Sequence, residues 1–123
     1  MSRPPYRKYF CATLPLLLLT ALSAASTGGQ ADSPRVIKIT AKRFGFTPNR
    51  ITLNRGETVT LRLRSEDVTH GFFLRPLKID GEIEPGKTTE ITLTPDVAGT
   101  FTIICDHFCG VGHGNMKMTV VVE

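Results

Sequence analysis

From Val36 onward, apolar and polar residues alternate with period two, and no later stretch keeps a helical period. Residues 36–41 are β-branched and alternating, and 51–53 form a second short run. Val59, Leu61 and Leu63 alternate with Thr60, Arg62 and Arg64, as in a strand with one buried face. Further strands are predicted at residues 71–74, 88–94, 101–105 and 116–122. Asn54-Arg55-Gly56, Glu84-Pro85-Gly86 and residues 96–99 supply the turns between them, and Asp80, Glu82 and Glu84 read as a solvated turn. About seven short strands with frequent turns predict an all-β chain folded as an antiparallel sandwich or barrel.

Residues 1–25 have a different pattern. Arg3, Arg7 and Lys8 precede an uncharged stretch that ends in small residues at Ser23, Ala24 and Ala25. That order predicts a secretory signal peptide cut after Ala25, and hence a periplasmic or otherwise exported protein. The alternative is a retained anchor that tethers the protein to the outer face of a membrane. Against it, the apolar run is interrupted by Pro15 and is short of the ~20 residues that span a bilayer. Residues 26–35 read as a flexible lead-in and 36–123 as one domain, with room for a single core.

Removal of the leader changes the electrostatic picture. Of fifteen Lys and Arg, three lie in the leader, leaving twelve against eleven Asp and Glu, a net charge near +1. The basic character of the whole chain therefore gives no support for nucleic-acid binding. Cys11 leaves with the leader, so Cys105 and Cys109 remain, and a lone pair in an exported protein is ordinarily a disulfide.

The surroundings of that pair point elsewhere. Cys105, Cys109, His113 and Met116 are spaced Cys-x3-Cys-x3-His-x2-Met. Thiolate, imidazole and thioether donors together select copper over hard, oxygen-seeking cations. The segment joins the last two predicted strands. If Ile103 and Val120 point inward, Cys105 and Met116 point inward at the same end of the sandwich. His70, between the polar residues 65–69 and the apolar Phe72, Phe73 and Leu74, can reach that pole from a second loop. Zinc hydrolysis needs an open coordination position and a nearby base, and nothing in the sequence identifies one.

These residues resemble a known family. Asp67-Val68-Thr69-His70, Glu84-Pro85-Gly86, Gly99-Thr100-Phe101 and the 105–116 loop occur in the order found in the CuA cupredoxin domain of cytochrome c oxidase subunit II, and nitrous-oxide reductase has a related domain. The resemblance spans roughly residues 36–122 and implies a cupredoxin-like Greek-key β-sandwich. It also implies a dinuclear centre, with Cys105 and Cys109 each bridging two copper ions and His70 and His113 binding one copper apiece. Met116 would be a weak axial ligand, and the backbone carbonyl of His107 would complete the second site. Gly110, Gly112 and Gly114 would let the chain turn tightly around the metals.

Departures from the family pattern matter too. Position 107 is usually glutamate in the oxidase subunit, where its side chain serves a neighbouring metal site; here it is His107. The chain has no tryptophan, the residue through which many oxidases take electrons from cytochrome c, and it lacks the usual pair of membrane helices. The domain therefore reads as free-standing, or tethered by its leader.

Three functional readings compete. One is an exported dinuclear-copper electron carrier, without catalytic activity of its own or as the electron-accepting subunit of a copper oxidoreductase. Its partner would be a redox protein such as a c-type cytochrome or a terminal oxidase or reductase. The second is a protein that receives, stores or delivers copper. The third keeps His70, Cys109, His113 and Met116 as a mononuclear blue-copper site and leaves Cys105 surplus. Among neighbouring residues, Met118 reads as core, Asp67 as an organiser of its loop backbone, and Phe108 as either a metal shield or an exposed docking residue.

Overall fold

The computed structural model describes residues 33–123, so the predicted signal peptide and most of the lead-in lie outside the described residues. Nine strands follow in order: β1 (Arg35–Lys42), β2 (Gly45–Thr47), β3 (Arg50–Leu53), β4 (Val59–Ser65), β5 (His70–Leu74), β6 (Ile79–Ile83), β7 (Thr89–Leu93), β8 (Gly99–Ile104) and β9 (Lys117–Val122). Single 3₁₀ turns occupy Arg75–Leu77 and His113–Asn115. No helix among the described residues is long and apolar enough to cross a membrane.

The strands form two sheets, ordered β2-β1-β4-β7 and β3-β9-β8-β5-β6, packed as a Greek-key sandwich. The alternation seen in the sequence decides which side chains meet between them. In β4, Val59, Leu61 and Leu63 are fully buried, while Arg62 faces outward and donates to Glu90 on β7 at 2.8 Å. In the second sheet, Ile51, Leu53, Phe72, Ile103, Met118 and Val120 turn to the same interior. Phe46 from one sheet meets Phe72 from the other edge-on, with ring centroids 5.5 Å apart, an arrangement that suits the aromatic quadrupole. Complete burial of a side chain such as Phe72 contributes roughly 1.5–3 kcal/mol by the hydrophobic effect.

Three features differ from the sequence-based expectation. First, the sheets are mixed, because β1 runs parallel to β4 and β3 runs parallel to β9. Alternation reports which face of a strand is buried, not the direction of its neighbour. Second, Asp80 and Glu82 belong to strand β6, paired with Phe73 and Gly71, instead of a solvated turn. Ile79 and Ile83 are buried on the inner face, and the acidic residues take the outer one. Third, β2 is a three-residue strand paired with the end of β1, too short to show a period.

Candidate metal centre

The architecture brings two chain segments to one pole. Cys105 follows β8 and continues the inward face of Ile103, so its thiol is buried, with the residue 4% exposed. The Cys105 amide donates to the Met116 carbonyl at 3.2 Å, closing the neck of the loop just before β9 begins. Within the loop, Gly110 (φ 135°) and Gly112 (φ 111°) occupy backbone conformations that side chains disfavour. The Gly112 turn leads directly into the 3₁₀ turn, where the His113 amide donates to Gly110 and the Met116 amide to His113. That coil turns Cys109, His113 and Met116 toward one point.

The distances there are short. Cys109 Sγ lies 3.7 Å from Cys105 Sγ, 3.7 Å from His113 Nδ1 and 3.8 Å from Met116 Sδ. Cys105 Sγ is 3.1 Å from the His107 carbonyl oxygen and accepts the Gly71 amide at 3.3 Å. Both cysteines are free thiols, so the lone-pair disulfide expectation does not describe this state. A ring nitrogen of His70 and the two thiol sulfurs lie within 4.8 Å of one another.

His70 opens β5 and is completely buried. Its Nε2 bonds to Asp67 Oδ1 at 2.6 Å, which assigns the proton to Nε2 and leaves a lone pair on Nδ1. Nδ1 has no hydrogen-bond partner among the described residues. A buried polar atom without a partner is costly, and here it sits beside two thiols, where a metal would satisfy it. Asp67 also accepts the Arg43 and Val68 amides, and Ser65 Oγ bonds to the Val68 carbonyl, so the loop before His70 is held by its own side chains. Asp67 thus organises backbone, as anticipated, and orients the histidine as well.

Charge follows burial. Burial alone would raise the Asp67 carboxyl, but the Arg43 amide, the His70 ring and the Val68 amide outweigh it and hold it at about 2. Burial, with the Cys105 thiol beside it, pushes the Cys109 thiol up to about 11. The metal-free site therefore keeps a proton that a bound metal must displace.

All six sequence-derived candidates meet at this pole: His70, Cys105, Cys109, His113 and Met116 through their side chains and His107 through its carbonyl. The His107 ring turns away, with Nδ1 3.6 Å from Glu82 Oε1. Met118 is core, 2% exposed. Phe108 is 73% exposed and resolves as the surface residue, its ring 5.9 Å from that of His113. Two contacts escaped the sequence. Arg43 Nε donates to the Cys109 carbonyl at 2.9 Å, and the Phe44 ring lies against Gly110 and Gly112. Neither leaves a local signal, because the partners are more than sixty residues apart in the chain.

Two thiols, two imidazoles, a thioether and a carbonyl form a soft donor set that fits copper, and among the described residues the cluster of His70, Cys105 and Cys109 includes no carboxylate. A family model described as cupredoxin-like domain matches residues 13–122. The chain is 36% identical over 87 residues to cytochrome c oxidase subunit 2 of Thermus thermophilus, covering 71% of this chain and 64% of that protein. It is 33% identical over 91 residues to nitrous-oxide reductase of Cupriavidus necator, covering 71% of this chain and 14% of the reductase. It therefore spans less than two thirds of either relative. Among solved structures, the periplasmic domain of subunit II of cytochrome oxidase from Bradyrhizobium japonicum superposes with a TM-score of 0.68 at 19% identity, covering 75% of this chain and 86% of that one. The blue copper protein auracyanin A from Chloroflexus aurantiacus gives 0.60 at 21% identity, covering 74% and 100%; both likenesses concern the fold.

Proposed function

We propose, because this chain belongs to the cupredoxin-like domain family, that it is an exported CuA-like electron-transfer domain with a dinuclear copper site. Bound copper would supply a one-electron couple; the protein's part is to hold the donors still and exclude water. Cys105 and Cys109 would supply the thiolates, His70 Nδ1 and His113 Nδ1 the imidazoles, and Met116 Sδ and the His107 carbonyl would complete the set that holds the copper. The observation that carries this reading is the position of Cys105. Its buried sulfur lies 3.7 Å from Cys109 Sγ and 3.1 Å from the His107 carbonyl, where a mononuclear site has no use for a second thiol.

The burial gradient suits a relay. His70 is sealed inside, whereas the His113 ring is only partly buried, next to exposed Phe108 and to Val111 at 94% exposure. Electrons would pass at this apolar rim to or from a redox protein such as a c-type cytochrome or a terminal oxidase or reductase. The donors come from two strand ends and a closed loop, a frame suited to carrying electrons more than to handing over the ion.

Copper titration of the reduced protein, followed by electron spin resonance one electron short of full reduction, tests the proposal. Two coppers per chain and a hyperfine pattern shared between two nuclei are expected. One copper with a single-nucleus pattern returns the mononuclear reading.

A further inference from the structure

We propose that Arg43 is a positioning residue for the metal site, clamping the His70 arm to the Cys109 arm and placing a fixed positive charge that raises the site's reduction potential. Arg43 lies between β1 and β2, in the tight connection that the Lys42–Gly45 pair closes. Its two ends make two long-range bonds. The main-chain amide donates to Asp67 Oδ2 at 2.8 Å, and the same carboxylate holds His70 Nε2. Its guanidinium Nε donates to the Cys109 carbonyl at 2.9 Å. One residue thus ties together two arms whose donors lie far apart in sequence. Phe44 extends the clamp: a Cβ on Gly112 would meet its ring at 3.1 Å and one on Gly110 at 3.4 Å, so ring and loop are in close contact.

The charge argument is separate. Among the described residues the guanidinium has no carboxylate within ion-pair distance. A guanidinium stays charged at any working pH, and its planar fork keeps its direction. The Asp67 carboxylate, which accepts the Arg43 amide and holds the His70 ring, also acts on Cys109, but less strongly than the Arg43 charge does. The oxidised form of a copper site carries one more positive charge than the reduced form. A cation nearby disfavours oxidation, and its removal lowers the potential.

The potential rests on the copper reading above; the clamp does not. The full chain is therefore compared as wild type, R43Q and R43K, with and without copper. Without metal, hydrogen exchange of the amides of Val68, Cys105, His113 and Met116 should be faster in R43Q. With metal, R43Q should keep its copper stoichiometry while the oxidised-to-reduced ratio at a fixed potential rises on the order of tenfold, as for loss of a half-exposed charge. That ratio corresponds to a potential ~59 mV lower for one electron. R43K keeps the charge without the fork, so its potential should stay near that of wild type while its loop amides exchange faster. An R43Q potential equal to wild type with an intact spectrum, or an equal fall in R43K, overturns the charge role. Unchanged loop exchange in R43K overturns the clamp, and decides it even if R43Q does not fold. Failure of the wild type to take up copper overturns the functional reading and the charge role with it, while the clamp is still decided by the exchange arm, which is measured without metal.

Discussion

Gly71→Ala isolates the contact on which the metal loop rests. Gly71 lies in β5 beside His70, and a Cβ there would fall 2.6 Å from the His107 amide nitrogen and 2.7 Å from that of Asp106, while overlapping Asp106 Oδ1. Ordinary contact begins at 3.4 Å, so the 106–107 backbone must retreat from β5 by roughly 0.8 Å. It cannot move freely, because Cys105 is tied to Met116 across the neck of the loop. Overpacking of this size costs about 2 kcal/mol. Weakening of the Gly71 amide bond to Cys105 Sγ adds about 1 kcal/mol. For a domain of this size that lowers the melting temperature by about 12–24 °C. Gly45→Ala is the control, since no atom lies within 4 Å of the added methyl and the backbone there is unstrained. Both variants are melted without metal by circular dichroism and then titrated with copper. The reasoning is refuted if Gly71→Ala melts within a few degrees of Gly45→Ala and binds copper equally well.

Three further outcomes are expected. Cys109→Ser should abolish the two-nucleus spectrum by removing one bridge, while Met116→Leu should retain copper and raise the potential, because a neutral thioether is the weakest donor; loss of all copper in Met116→Leu would contradict this order. Copper affinity, followed by competition with a chelator, should rise with pH, up to about tenfold per unit for each thiol proton displaced, because the Cys109 thiol stands at about 11 in the metal-free protein; an affinity flat between about pH 6 and 8 would mean that no thiol proton is lost. The Asp67 carboxyl falls from 3.8 to about 2 on folding, so its stabilisation is fully present above the unfolded value and lost as pH drops through the folded one. Wild type should therefore exceed Asp67→Asn by about 2 kcal/mol in urea denaturation near neutral pH. A gap that does not narrow in acid would place the cost elsewhere.

How much of this was legible in the sequence depends on the range of each interaction. The 105–116 loop was readable because its donors are local, and period-two alternation fixed which side of the last two strands faces inward. His70 was readable because its flanks change from polar to apolar within a few residues. Strand β6 carried the same alternation in Ile79, Gly81 and Ile83, but the acidic residues between them concealed it; on an exposed sheet face such residues are ordinary. The parallel pairing of β1 with β4 and the reach of Arg43 to Cys109 depend on how distant segments meet, which no local pattern records. The His107 ring reads in the sequence as a solvent-edge side chain, and its outward turn toward Glu82 agrees with that.

The position of β9 imposes an order of events in time. It fills the gap between β3 and β8 in the five-stranded sheet, and it follows the metal loop in the chain. A chain emerging from its N-terminus first would present Cys105 and Cys109 before the strand that closes the loop has arrived. Until then the two thiols are unshielded and the neck hydrogen bond from Cys105 to Met116 has no framework. Loading must therefore wait for the whole domain to assemble, and any chain caught short of β9 would present an unshielded pair of thiols in place of a metal site.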